Sequence, residues 1–173
     1  MITKIPSVAV IGCGHWGKNH VRNFHALGAL AAVADANSDL AATMSETYDV
    51  PARDYAAILA DPGIAGVVIA APAEAHAALA IQALEAGKHV FVEKPLALTV
   101  AEAEGVLAAA ETAGRILMVG HLLQYHPAFM KLTEMVRAGD LGNLQYLYSN
   151  RLNLGKIRRE ENALWSFAPH DIS

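Results

Sequence analysis

Short apolar runs recur along the chain, each followed by a turn or by a stretch with helical spacing. Residues 8–11, 30–34, 67–70, 89–92 and 116–119 are four or five residues long and almost wholly apolar. That length and character fit strands buried on both faces. Between them lie helical patterns over 15–27, 39–48, 54–60, 74–86 and 99–113. Gly28, Gly87 and Gly114 supply C-terminal stops. Ser38 is expected to cap the second helix, and Thr99 with Glu102 forms a capping box for the last. Residues 50–53 contain Pro51 and make no more than a short edge strand, because proline cannot donate to a ladder. Counting it, residues 116–119 are the sixth strand. Alternating strands and helices predict an α/β fold with a doubly wound parallel sheet, complete by about Gly120.

Beyond Gly120 the pattern changes. Residues 127–138 are amphipathic and helical, residues 139–142 are a turn, and residues 144–154 alternate as one long strand carrying Tyr146, Tyr148 and Leu152. One strand cannot form a sheet. The expected division is therefore 1–120 as one domain and 121–173 as the incomplete start of an α+β second domain.

The first run leads straight into Gly12-x-Gly14-x-x-Gly17 and then into a helix. Gly12 allows a tight turn, Gly14 lets backbone approach a pyrophosphate, and Gly17 lets the helix pack close to the strand. His15 and Trp16 lie at the helix start, where N–H groups and the helix dipole favour an anion. Eighteen residues past Gly17, Asp35 ends the second run and can accept hydrogen bonds from ribose hydroxyls. A dinucleotide is the expected ligand. NAD is expected over NADP, because Asp35 would repel a 2′-phosphate and no Arg or Lys stands in residues 36–39. The same glycines could also serve a ligand-free turn.

Apolar residues make up 54% of the 173, and charged residues 17%, with a net charge of −4. This balance argues against nucleic acid held by general electrostatics. No apolar run reaches the ~20 residues of a membrane span, and residues 8–11 are too short for a signal peptide. The single cysteine, Cys13, excludes an internal disulfide, fits a reducing cytoplasm, and reads as a spacer in the glycine loop. Eight histidines show no metal-binding spacing.

Ligands of open α/β sheets bind beyond the carboxyl ends of the strands. There the sequence places Ala71-Pro72 with His76, then Glu93-Lys94-Pro95, then His121. Lys94 can hydrogen-bond a substrate hydroxyl and stabilise a developing alkoxide; it reads equally as a surface lysine in a turn. His170, beside Asp171, could accept a proton near neutral pH. His76 could orient the cofactor loop or lie at the surface, and His121 is similar. His15, His20, His25 and His89 read as scaffold or surface. Arg151, Lys156, Arg158 and Arg159 suit phosphate oxygens, although Glu160 and Glu161 could neutralise them in a solvated loop.

The order of these motifs resembles the glucose–fructose oxidoreductase / inositol dehydrogenase / rhizopine catabolism (Gfo/Idh/MocA) family. It rests on Gly12-Cys13-Gly14-His15-Trp16-Gly17, Asp35, Ala71-Pro72 with His76, Glu93-Lys94-Pro95 and Pro169-His170-Asp171. The Glu-Lys-Pro tripeptide is the specific part. Residues 120–127 and 168–172 look most like members that oxidise C3 of UDP-N-acetylglucosamine or its glucuronic acid form.

The resemblance implies a dehydrogenase acting on CH-OH groups, with Lys94 and His170 as the catalytic pair. It implies a cofactor site of Gly12, Gly14, His15, Trp16, Gly17, Asp35, Ala71, Pro72, His76, Glu93 and Lys94. The substrate would meet Lys94, His121, Arg151, Lys156, Arg158, Arg159, His170 and Asp171. It implies a cytoplasmic homo-oligomer at full length, with no nucleic-acid or membrane partner. Gln124 stands where relatives usually carry Arg, and Ser166 where many carry Asp. An inositol or free-sugar dehydrogenase and a non-catalytic NAD-binding module are the competing expectations. The chain as given is expected to bind NAD and to leave the sugar pocket incomplete.

Overall fold

A computed structural model describes residues 5–150 and Ile172. The chain divides after Gly120 into two units, Met1–Gly120 and His121–Ser173.

The first unit is a parallel five-stranded sheet clothed by helices. Its elements are β1 (Val8–Ile11), α1 (Gly17–Ala26), β2 (Leu30–Ala34), α2 (Ser38–Tyr48), α3 (Tyr55–Ala60), β3 (Gly66–Ile69), α4 (Ala73–Glu85), β4 (His89–Val92), α5 (Val100–Ala113) and β5 (Leu117–Val119). The strand order is β2-β1-β3-β4-β5, with every pair parallel. The expected sixth strand is reduced to a single parallel bridge between Ala52 and Val33. Pro51 has no N–H, so only its carbonyl, accepting from Val33 N–H, and Arg53 N–H, donating to Val33, tie this segment to β2.

Side chains alternate across the sheet and fill two cores. Ala9, Ile11, Val67, Ile69, Val90 and Val92 point to the layer holding Ile58 of α3, Leu84 of α4 and Val106 of α5. Val10, Val33 and Val68 point the other way, to Val21 and Phe24 of α1 and Met44 and Tyr48 of α2. Because all strands run the same way, the glycine loop, Asp35, Ala71, Glu93 and Gly120 gather at one end of the sheet.

The capping box of Thr99 and Glu102 opens α5, and Gly114, at φ 60, closes it. The second helix is capped differently from the sequence expectation. Ser38 lies inside α2, and Asn37 takes the extended cap conformation and accepts from the N–H groups of Asp39 and Leu40. Asn37 holds that position because its own N–H donates to Asp35 Oδ1 at 2.7 Å.

The second unit opens with a 3₁₀ turn, Leu122–Tyr125, followed by α6 (Pro127–Ala138), which His126 caps through its Nδ1. The strand expected over 144–154 is not formed across its described part, 144–150, where no residue enters a ladder. Tyr146 and Tyr148 are highly exposed there. A strand exists only through its partner's hydrogen bonds, and no described segment pairs with this one. Residues 151–154 lie outside the described residues. Among the described residues no helix is long and apolar enough to cross a membrane, and no group of His, Cys, Asp and Glu could hold a metal ion.

Candidate functional site

The glycine loop uses its three glycines for three different reasons. Gly12 has φ 94, and a Cβ there would stand 2.7 Å from the backbone of Ala70, after β3. A Cβ at Gly17 would stand 1.7 Å from Gly12 O, so α1 can start only where residue 17 has no side chain. Gly14 has nothing within 4 Å of its Cβ position. No protein group excludes a side chain at residue 14, which leaves room for a ligand to approach the backbone closely. The N–H groups of His15 and Trp16 meet no acceptor among the described residues. His15 and Trp16 are exposed, with their rings edge to face at 6.0 Å.

Asp35 ties this loop to the end of β2. Its Oδ2 accepts from Cys13 N–H at 2.6 Å, and its Oδ1 from Asn37 N–H at 2.7 Å. Each carboxylate oxygen keeps a further lone pair for a ribose hydroxyl. Cys13 is buried, and its thiol lies beside Ala34 O. Burial, helped by the Asp35 charge, pushes that thiol up to about 11. A thiol so held is inert near neutrality, in keeping with a spacer role.

Two histidines secure the loop around Lys94. His76 is buried, which removes the surface alternative. Its Nε2 lies 2.8 Å from Ala71 O and its Nδ1 2.7 Å from Pro95 O, so one ring joins the loops after β3 and β4. A neutral imidazole can donate to only one of these carbonyls, whereas the imidazolium donates to both. On the other side, His20 Nε2 lies 2.7 Å from Glu93 Oε1, and the ring packs edge-on against Phe91. The second Glu93 oxygen accepts from Lys94 N–H at 3.3 Å. Gly120, after β5, leaves little space for a side chain: a Cβ would stand 3.2 Å from Glu93 Oε2 and from the Phe91 ring, so those side chains would have to shift by a few tenths of an ångström.

The structure thus brings Gly12, Gly14, His15, Trp16, Gly17, Asp35, Ala71, Pro72, His76, Glu93 and Lys94 to one end of the first unit's sheet. His121 opens the second unit, and its Nδ1 has no hydrogen-bond partner among the described residues. Arg151, Lys156, Arg158, Arg159, His170 and Asp171 lie outside the described residues. The sequence reads His20, whose partner Glu93 lies 73 residues away in the chain, as scaffold or surface. Its one signal is its place, three residues beyond Gly17 on the helix that starts the loop.

Residues 7–121 match the profile of the oxidoreductase family with an NAD-binding Rossmann fold. The chain belongs to the Gfo/Idh/MocA family. Its cofactor fold is therefore the NAD-binding one, and the open cradle at Gly14, the free N–H groups and Asp35 fit that cofactor. Among its family relatives is UDP-N-acetylglucosamine 3-dehydrogenase of Acidithiobacillus ferrooxidans, 34% identical over 94% of this chain and 51% of the relative. Inositol 2-dehydrogenase of Salmonella typhimurium is 28% identical over 94% of this chain and 51% of its own. The solved structure of GenD2 from gentamicin A biosynthesis, in complex with NAD, superposes with a TM-score of 0.75 at 29% identity, over 81% of this chain and 41% of that one. The chain spans about half the length of the curated relatives it matches.

Proposed function

We propose that this family member is an NAD-dependent dehydrogenase that oxidises a secondary hydroxyl, the C3 hydroxyl of a nucleotide sugar such as UDP-N-acetylglucosamine or its uronic acid. The observation that carries the reading is Lys94, set between Glu93 and Pro95 at the same sheet end as the glycine loop and Asp35, with both flanking residues hydrogen-bonded to histidines. An ammonium there can donate to the substrate hydroxyl and stabilise the alkoxide as it forms. His170 is the proposed proton acceptor, and Asp171 its neighbour at the substrate. Glu93 orients the loop, and His76 holds Ala71 and Pro72 against it. Bound NAD supplies the hydride acceptor.

In this reading residues 1–120 hold the cofactor and 121–173 begin the substrate domain, where His121, Arg151, Lys156, Arg158 and Arg159 meet the sugar diphosphate. The relative that acts on UDP-N-acetylglucosamine supports the nucleotide-sugar choice. The inositol dehydrogenase relative supports a second reading, a cyclitol or free sugar, for which the basic cluster has no partner. A homo-oligomer in the cytoplasm completes the proposal.

The test follows NADH formation by the gene's full-length product with UDP-N-acetylglucosamine, its uronic acid and myo-inositol. The nucleotide sugars are expected to react, and myo-inositol is not. Lys94→Ala is expected to lower turnover by about 100-fold or more while NAD affinity stays near wild type. Preference for myo-inositol would transfer the proposal to the second reading. A Lys94→Ala variant with normal turnover would return Lys94 to a surface turn.

A further inference from the structure

His76 faces two acceptors. Its Nδ1 lies 2.7 Å from Pro95 O and its Nε2 2.8 Å from Ala71 O, and only 2% of the residue is exposed. A carbonyl accepts and never donates, so a ring nitrogen bonded to one must carry a proton. Both bonds hold together only in the imidazolium. The neutral ring sets one bare lone pair against a carbonyl oxygen in a buried place, and that contact must open. The two carbonyls belong to different loops at the cofactor end of the sheet. Ala71 and Pro72 follow β3, and Glu93, Lys94 and Pro95 follow β4. The loop after β3 also abuts the glycine loop, since the Cβ position of Gly12 lies 2.7 Å from Ala71 N.

The charges around the ring come from several elements. His76 stands near the start of α4, whose dipole opposes a cation there, and Glu74 in the first turn counters it. Glu85 ends the same helix, far from the ring. On α5, Glu102 is turned into the capping box, and Glu104 and Glu111 are exposed. On the loop after β4, Glu93 is engaged by His20 and by Lys94 N–H, and Lys94 is that loop's cationic side chain. Lys88 and His89 lie at the opposite end of β4, and Tyr55 of α3 donates to Leu79 O. Charge-assisted bonds to two buried carbonyls are the contacts that hold the proton on the ring.

We infer that His76 is a proton-dependent clip on the cofactor cradle. Protonated, it ties the loops after β3 and β4 together; losing the proton releases one of them and weakens NAD binding. By reciprocity, bound NAD holds the proton more tightly on the ring. The inference goes beyond the proposed reaction, because it concerns cofactor capture and asks nothing of Lys94 or of a substrate.

The experiment has two arms on the native chain. In the first, the ring nitrogens of isotope-labelled histidine are read by NMR, and the His76 signals are assigned by their loss in His76→Gln. At about pH 6 both His76 nitrogens are expected to carry protons, and by about pH 9 one of them is expected to be bare. In the second, calorimetry with NAD is expected to give a wild-type affinity weaker by about fivefold or more at the higher pH. Cys13, whose thiol is pushed up to about 11, stays neutral across this range. His76→Gln, whose amide does not titrate, is expected to bind NAD equally at the two pH values. His15→Ala and His20→Ala are each expected to keep the fall. Where His76→Gln does not fold by circular dichroism, the signals are assigned by Overhauser contacts to Ala71 and Pro95, and the wild-type spectrum decides. A bare His76 nitrogen at about pH 6, equal wild-type affinity at both pH values, or a fall that survives His76→Gln overturns the inference. Neither arm measures turnover, so loss of the dehydrogenase reading leaves these outcomes in force.

Discussion

At the scale of single residues, the glycine loop separates fold from binding. Gly17→Ala forces a methyl onto Gly12 O, so a loss of roughly 3 kcal/mol or more is expected in chemical denaturation. Gly14→Ala meets no protein atom. Its stability should stay within about 0.5 kcal/mol of wild type. Its NAD dissociation constant, by calorimetry, should rise at least tenfold, about 1.4 kcal/mol, because the methyl occupies the approach to the pyrophosphate. Asp35→Ser is expected to weaken NAD more than NADP; tighter NADP binding by the wild type would contradict the role given to Asp35.

Cys13 supplies a pH dependence. Its thiol is raised from 9.0 to about 11, so the fold favours the neutral form. The unfolded chain loses this proton first as pH rises. The contribution to stability is therefore constant below pH 9 and declines from there toward about 11. At pH 8 the thiolate is about 100-fold scarcer than in the unfolded chain, and alkylation by iodoacetamide should be slower by at least that factor. Equal labelling of folded and urea-unfolded protein would contradict the burial described.

At the scale of elements, Lys88 shows what residue-level chemistry does for a connection. It is buried just before β4, and its ammonium donates to Asp61 O at 2.6 Å and Ile64 O at 2.9 Å. These bonds fix the turn between α3 and β3. Lys88→Met leaves both carbonyls without their donor and should cost about 1–3 kcal/mol, seen as a lower urea midpoint at unchanged slope. The central strands β1 and β3 were legible in the sequence because they are buried on both faces and must be apolar throughout, whereas the edge strand β5 is partly exposed, with Met118 open to solvent. The box of Thr99 and Glu102 was legible because capping is local, within one turn of helix.

What was not legible depends on distance along the chain. Asn37 displaces Ser38 as the cap through a bond to Asp35, which exists only once β2 has ended in the sheet. His20 and Glu93 meet because β4 lies next but one to β1, a fact of strand order rather than spacing. His76 was readable as a candidate, but its burial between two carbonyls required the loop after β4 to fold over α4. Residues 144–150, the described part of the strand expected over 144–154, show the converse: alternation is necessary for a half-buried strand, but no described segment forms a ladder with them.

At the scale of the first unit, the sheet gathers five loops at one end, and their connections are made by the protein itself. Asp35 already bonds Cys13, His20 already bonds Glu93, and His76 already joins Ala71 to Pro95. The cofactor cradle is thus preorganised, and association has little ordering entropy to overcome. This has a kinetic signature. With Trp16 as a fluorescent reporter at the loop, in a Trp165→Phe background, mixing with NAD in stopped flow should give a single exponential. Its rate should rise linearly with NAD concentration and show no plateau. A saturating rate would mean that the loop rearranges on the way to the complex. The bond from Cys13 N–H to Asp35 is part of that preorganisation, and a variant that removes it, such as Asp35→Ser, should introduce the slow phase that the wild type is expected to lack.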